Sequence, residues 1–155
     1  MESGKALFIT SIAAVVVVLD FITKKLIMLY VNPYEAIDIL PFLRIVNVKN
    51  MGAAFGLFSS LGNNVFIIIY VIAIIIIILY CLSIPKGIEL FSLAVILGGS
   101  IGNLIDRLTI GKVIDFIDFF IGKWHWPAFN VADSALTVGM VLLLWANIKQ
   151  VTGKK

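Results

Sequence analysis

The chain has 155 residues, of which 61% are hydrophobic and only 14% charged, whereas soluble domains average roughly 45–50% and about 25%. A soluble fold of this size could not bury so much apolar surface, so the composition indicates an integral membrane protein. The net charge of +3 does not indicate nucleic-acid binding, because the 12 Lys and Arg residues are scattered and form no basic stripe.

Four apolar segments are long enough to cross a bilayer, which takes about 20 helical residues. The first resembles the apolar part of a secretory signal peptide, but no small-residue cleavage pattern follows it, so we interpret it as a retained helix. All four are predicted to belong to one membrane domain, residues 1–155. The predicted transmembrane helices cover residues 6–31, 65–82, 88–105 and 131–148.

Two long segments connect these helices, at residues 32–64 and 107–130. The first contains a β-prone stretch from Phe42 to Val48. With four crossings, both segments lie on one side of the membrane, while the termini and the turn at Pro85 lie on the other. The sequence therefore predicts an all-α membrane protein, a four-helix bundle with a cap that contains a small β-sheet.

Positive charge gives two answers about orientation. The termini and the Pro85 turn hold five Lys or Arg residues within short stretches, whereas the connecting segments and adjoining helix ends hold seven within much longer ones. Charge density favours cytoplasmic termini by the positive-inside rule, but the raw count favours the reverse.

The acidic residues cluster near the cap. An ionisable group near a transmembrane segment is costly, which makes each of them a functional hypothesis. Any chemistry is therefore expected on the cap side. Seven of the nine acids lie there: Asp20, Glu35, Asp38, Asp106, Asp115, Asp118 and Asp133.

Several polar residues near the helix ends are interpreted mainly as structural. Asp20 precedes Lys24 by four residues, the favourable order for an ion pair on one helix. Asn103, Asp106 and Arg107 share one face at the end of the third span. Because a carboxylate at a helix C-terminus opposes the macrodipole, Asp106 needs a partner, either Arg107 or a donor from the cap.

Asp115 and Asp133 are candidates for acid–base chemistry. Asp115 lies among apolar residues, where a carboxyl group has a raised pKa and can keep a proton near neutral pH. Asp133 lies in the first turn of the fourth span, three residues after Asn130, where helix capping and the macrodipole favour a carboxylate. Two such groups can share a proton and activate water against a carbonyl. Spacing alone leaves other acid pairs open.

Other patterns are interpreted as structural. Residues 98–102 match G-x-S-x-G, but they lie inside an apolar span, so Gly98 and Gly102 are expected to mediate close helix packing. His125, between two Trp residues, is interpreted as an interfacial residue. One Cys and one His cannot form a Cys/His zinc site, and we expect no metal or other cofactor.

Taken together, five motifs resemble the lipoprotein signal peptidases, the bacterial signal peptidase II family, in the family's order and over nearly the whole chain. The resemblance implies an aspartic endopeptidase that removes signal peptides from prolipoproteins, cutting N-terminal to a cysteine that carries a diacylglyceryl group. Asp115 and Asp133 would be the catalytic dyad, with the roles of base and acid unassigned. The motifs are residues 20–24 (DFITK), 50–56 (NMGAAFG), 98–107 (GGSIGNLIDR), 113–118 (VIDFID) and 129–134 (FNVADS).

The resemblance also implies supporting residues, partners and a location. The location is the bacterial cytoplasmic membrane, with cytoplasmic termini and the active site near the outer leaflet. The implied partners are the prolipoprotein, membrane phospholipid and a globomycin-type inhibitor. Residues 24–64, with Gly52, Ala53, Ala54 and Gly56, are the candidate substrate clamp. Substrate-binding or dyad-supporting positions are Asn50, Gly52, Asn103, Arg107 and Asn130, and mainly structural ones are Asp20, Lys24 and Asp106.

Two alternative functions remain open from the residues alone. A small proton- or cation-coupled transporter predicts carboxylates in the middle of the spans and broken helices, whereas the acids here lie near span ends. The enzymatic alternative is a metal-dependent hydrolase in which Asp115 and Asp118 bind magnesium or calcium.

Overall fold

Four long helices dominate the computed structural model, which describes residues 3–52 and 58–152. Each helix is long and apolar enough to cross a bilayer, which confirms the predicted four-helix membrane protein. The third continues to Thr109, about one turn beyond the predicted span, so Asp106 and Arg107 lie within it. The helices are α1 (Ser3–Tyr30), α2 (Asn63–Ser83), α3 (Ile88–Thr109) and α4 (Val131–Thr152).

Helix α3 is the central helix of the bundle. In an apolar 18-residue stretch of α3, 61% of the residues are buried. The corresponding stretches of α1, α2 and α4 are only 17%, 11% and 17% buried. Lipid tails are as apolar as leucine side chains, so the outer helices have no need to bury their apolar residues against protein. Their exposed Ile, Val, Leu and Phe side chains therefore form the lipid-facing surface.

Glycines allow α3 to approach its neighbours closely. A Cβ atom added at Gly98 would lie 2.7 Å from the Cβ of Val16 in α1. One added at Gly102 would lie 2.7 Å from Oδ2 of Asp20 and 3.2 Å from the Cβ of Ala132. The predicted packing role of Gly98 and Gly102 is confirmed, because even alanine would force a shift at either position.

A small antiparallel sheet caps one end of the bundle, as predicted. Its order is β1-β2-β3-β4, and the β-prone stretch of the first segment forms β2. Pairing of β2 with β3 joins the two connecting segments, with Asn50 opposite Val113 and Val48 opposite Asp115. The strands are β1 (Ala36–Leu40), β2 (Leu43–Asn50), β3 (Val113–Ile121) and β4 (Trp124–His125).

The other end of the bundle is closed by Lys5. Its Nζ donates to the carbonyl oxygen of Leu82 at 3.1 Å and to that of Ile84, so the start of α1 is tied to the turn between α2 and α3.

At the cap end, Ala53, Ala54 and Gly56 of the predicted clamp lie outside the described residues, so the clamp stays a prediction.

Candidate active site

Asp115 and Asp133 line the same cavity, which has a volume of about 600 Å³. Asp115 lies in β3 of the cap, and Asp133 lies in the first turn of α4. Tyr70 of α2 and Leu136 and Met140 of α4 also line the cavity. The structure thus places both predicted catalytic acids where the cap meets the bundle, at the polar end of a largely apolar cavity.

Three asparagine side chains hold the two carboxyl groups. Nδ2 of Asn50 donates to Oδ2 of Asp115 at 2.9 Å, and Nδ2 of Asn130 donates to its Oδ1 at 2.7 Å. Nδ2 of Asn103 donates to Oδ1 of Asp133 at 2.8 Å. The three asparagines come from β2, α3 and the residue before α4, so the fold brings together residues far apart in sequence.

The start of α4 is fixed by reciprocal hydrogen bonds between Asn130 and Asp133. The N–H of Asp133 donates to Oδ1 of Asn130 at 2.8 Å, and the N–H of Asn130 donates to Oδ2 of Asp133 at 3.3 Å. This is the geometry of a capping box, and it confirms the capping predicted from their spacing. Asn130 therefore contacts both acids, one through its side-chain amide and the other through its backbone.

Burial raises the pKa of Asp115 to about 7 from its ordinary 3.8, with the negative charge of Asp133 as the second cause. Hydrogen bonds from Asn50 and Asn130 and the charge of Lys24 act in the opposite direction but do not outweigh burial. A carboxyl group with a pKa near neutrality can both hold and release a proton at working pH. The raised pKa expected from its apolar neighbours is confirmed.

Arg107 links α3 to the end of β2. Its Nη1 donates to the carbonyl oxygen of Met51 at 3.0 Å and its Nη2 to that of Gly52 at 2.5 Å, while its guanidinium lies 4.3 Å from the ring centroid of Phe66. The N–H of Gly52 donates to Oδ1 of Asn50 at 2.9 Å. Arg107 and Gly52 thereby hold the asparagine that contacts Asp115.

Asp106 pairs with Lys24 and not with Arg107. Nζ of Lys24 lies 3.0 Å from Oδ2 of Asp106, and the N–H of Ile114 donates to the same oxygen at 3.0 Å. The predicted pairing of Asp106 with Arg107 is wrong, because Arg107 is directed to the end of β2. The alternative prediction, a donor from the cap, is confirmed. The expected pair between Lys24 and Asp20 is present at 2.7 Å.

Asp118 belongs to a different cluster. Nε of Arg44 donates to its Oδ2 at 2.6 Å, and Nδ1 of His125 lies 3.1 Å from each carboxylate oxygen. Within residues 3–52 and 58–152, no three His, Cys, Asp or Glu side chains converge as a metal site would require. No observation therefore favours the hydrolase in which Asp115 and Asp118 bind a metal.

Sequence reasoning missed several side chains around the site. Tyr70 carries a hydroxyl within an uncharged span, a signal that could have singled it out. Phe66 under Arg107 and the cavity-lining residues 126–128 gave no such signal, because their position depends on how the cap folds back on the bundle.

Comparisons with known proteins identify the family and the fold. The model of the family described as Signal peptidase (SPase) II matches residues 12–149. The chain is 43% identical over 145 residues to the lipoprotein signal peptidase of Thermodesulfovibrio yellowstonii, covering 93% of this chain and 97% of that one. It is 44% identical over 163 residues to the lipoprotein signal peptidase of a Janthinobacterium species, covering 97% and 99%.

A solved structure agrees as well. A bacterial membrane enzyme determined by the in meso method at 2.3 Å resolution matches with a TM-score of 0.88 and 33% identity, over 95% of this chain and 91% of that one. The fold and the family match together define a bacterial integral membrane peptidase. The chain belongs to the signal peptidase II family, which confirms the resemblance found in its motifs.

Proposed function

We propose that this protein cleaves the signal peptide from diacylglyceryl-modified prolipoproteins, on the N-terminal side of the lipidated cysteine, with Asp115 and Asp133 as its catalytic dyad. The observation that carries the proposal is the presence of both carboxyl groups in one cavity at the boundary of bundle and cap. Membership of the signal peptidase II family supports peptide-bond hydrolysis, and the name of the relatives supports a lipoprotein precursor as substrate.

The shape of the cavity supports an apolar peptide as substrate. From Asp133 its lining continues along α4 through Leu136, Thr137 and Met140, a distance of about 10 Å at 1.5 Å per residue. An apolar signal segment can pack against this strip while the lipid chains on the cysteine stay in the bilayer. The scissile bond then lies at the polar end, beside the dyad.

The chemistry follows from one shared proton. Asp115, with its pKa near neutrality, holds the proton and directs it to the scissile carbonyl oxygen, while Asp133 removes a proton from the attacking water. The tetrahedral intermediate then collapses as the C–N bond breaks. The cysteine nitrogen takes the proton from Asp133, and Asp115 recovers its own, so the dyad returns to its starting state.

Arg107 is a candidate contact for the substrate backbone. It lines the cavity, and its Nε is a buried donor with no hydrogen-bond partner among the described residues. A buried unpaired donor is costly, so a peptide carbonyl that reached it would bind favourably. Asn50 and Gly52, at the same wall, complete the proposed substrate-binding side of the site.

Orientation is part of the proposal. Cytoplasmic termini and a site near the outer leaflet agree with the positive-charge density of the Pro85 end. Single-cysteine variants Lys86→Cys and Lys123→Cys, in a Cys81→Ser background, test it with an impermeant thiol reagent on intact cells. Labelling at position 123 and not at 86 is expected, and the reverse pattern would overturn the orientation.

Cleavage of a lipidated prolipoprotein in vesicles tests the dyad. We expect Asp115→Asn and Asp133→Asn each to lower the rate at least about 1,000-fold, because an amide can neither accept the water proton nor carry the shared one. Asp118→Asn is the matched control, since Asp118 lies in the same strand but pairs with Arg44, and its rate should stay within about threefold of wild type. Near wild-type cleavage by either folded dyad variant would refute the dyad.

We also expect two further partners, membrane phospholipid and a globomycin-type inhibitor. The transporter alternative gains no support, because the four helices run unbroken through the described residues, whereas ion-coupled transporters place their sites at interrupted helices.

A further inference from the structure

A buried ion cluster lies directly behind the dyad. It consists of Asp20, Lys24 and Asp106, which are 1%, 2% and 6% exposed. Nζ of Lys24 lies 2.7 Å from Oδ2 of Asp20 and 3.0 Å from Oδ2 of Asp106, and it donates to Oδ1 of Asn103 at 3.0 Å. These three acceptors match the three hydrogens of an ammonium group.

Both carboxylates of the cluster also hold backbone next to the dyad. Oδ2 of Asp106 accepts a hydrogen bond at 3.0 Å from the N–H of Ile114, the residue before the first dyad acid. Oδ1 of Asp20 accepts one at 2.8 Å from the N–H of Ala132, the residue before the second. The cluster therefore anchors the strand and the helix that carry the two acids.

The third contact of the cluster acts through Asn103. Lys24 can only donate, so Asn103 must direct its Oδ1 to Lys24. That choice directs Nδ2 of Asn103 to Oδ1 of Asp133, at 2.8 Å. The ammonium thus determines which way the amide faces, and with it whether Asp133 receives a hydrogen bond.

We propose that Asp20, Lys24 and Asp106 are positioning residues that set the separation and orientation of the two catalytic carboxyl groups. This rests on the proposed function, and it goes further than an ion pair that makes a helix end tolerable in the membrane. A positioning cluster acts on turnover and leaves substrate binding unchanged, since none of its members lines the cavity.

Asp106 offers a matched pair of test variants. Its Oδ2 accepts both bonds described above, so Asp106→Asn keeps an oxygen acceptor there and Asp106→Leu removes it. Asp106→Leu still leaves the Asp20–Lys24 pair with balanced charge. We expect it to lower kcat about 100-fold, the effect of a displacement of about 1 Å, with KM within about twofold. Asp106→Asn should keep at least about a third of the wild-type kcat.

Leu90→Ala is the control for stability alone. Leu90 is fully buried at the other end of α3, about 24 Å from Asp106 along the helix axis. The proposal is overturned if Asp106→Leu loses no more kcat than Leu90→Ala when the two variants have lost the same amount of Tm. It is also overturned if Asp106→Asn loses as much kcat as Asp106→Leu. Asp106→Ala, with its smaller side chain, is judged by the same comparison if the leucine variant does not fold.

Amide hydrogen exchange separates this proposal from the proposed function. In Asp106→Leu the N–H of Ile114 loses its acceptor, so a peptide containing Ile114 should exchange faster than in wild type or in Leu90→Ala. This readout does not depend on which residues are catalytic. Unchanged exchange would refute the anchoring, whereas retained cleavage by Asp115→Asn would refute the dyad instead.

Discussion

Asp115→Asn should abolish cleavage and yet stabilise the fold at alkaline pH. Asp115 has a pKa of about 7 against an ordinary 3.8, a gap that corresponds to about 4 kcal/mol at about 1.36 kcal/mol per pKa unit. By that amount the fold disfavours the charged carboxylate. An amide carries no charge, but its NH2 would face a donor of Asn50 or Asn130, which costs about 1–3 kcal/mol. The expected net gain is about 1–3 kcal/mol.

The sign of the effect depends on pH. Below the ordinary pKa of 3.8 the carboxyl group is protonated in both states, and burial imposes no charge penalty. Between that value and about 7 the folded protein binds more protons than the unfolded chain, so wild-type stability falls as pH rises. Above about pH 7 the full penalty applies. The advantage of the asparagine variant should therefore grow up to about pH 7 and stay constant beyond it.

Thermal unfolding in detergent micelles, followed by the fluorescence of the three tryptophans, measures this difference. At pH 8.5 the Tm of Asp115→Asn should exceed that of wild type by several degrees, since about 1 kcal/mol corresponds to about 2–4 °C in domains of about this size. At pH 5 the advantage should be smaller or reversed. Asp118→Asn serves as the control and should show no such gain. An equal or lower Tm of Asp115→Asn at pH 8.5 would refute the reasoning that burial raises the pKa of this carboxyl group.

Three further predictions concern packing, the cavity wall and metals. Gly99→Ala should destabilise the fold by about 1–3 kcal/mol, because the added Cβ would lie 2.5 Å from the carbonyl oxygen of Ala132. The loss is measured as a decrease in Tm. Gly87→Ala is the control and should not lower the Tm, because a Cβ at Gly87 would have nothing within 4 Å. Arg107→Lys should lower kcat/KM about tenfold in the cleavage assay, because a lysine cannot replace two guanidinium hydrogen bonds and the contact with Phe66; wild-type kinetics would contradict the assigned contacts. EDTA should leave cleavage unchanged, whereas loss of activity that is restored by magnesium would return the metal-dependent hydrolase to consideration.

The predictions that succeeded from sequence rest on local rules. Four helices follow from the length of the apolar runs, because a spanning segment must satisfy its own backbone hydrogen bonds. The capping of α4 follows from the spacing of Asn130 and Asp133, since residues three apart at a helix start meet across one turn. The Asp20–Lys24 pair follows in the same way from a spacing of four.

The partner of Asp106 could not be obtained in that way. Asp106 and Arg107 are neighbours in sequence, yet Lys24 is the cation that reaches Asp106, because α1 packs against α3 at Gly102. Successive residues of a helix point about 100° apart, so Arg107 is directed to the end of β2 instead. Helix packing therefore determines which cation pairs with which acid.

The sequence by itself determined that this protein lies in a lipid membrane and how many helices span it. Its motifs also place it in the signal peptidase II family. Apolar length, helical spacing and motif order are all properties of short stretches of chain. Only the tertiary structure decided that Asp115 of β3 and Asp133 of α4 line one cavity, that three asparagines hold them, and that a buried lysine cluster lies behind them. Apart from the local Asp20–Lys24 pair, those contacts join residues that are not neighbours in the chain, and they form because the cap folds back on a bundle whose glycines let the helices come close.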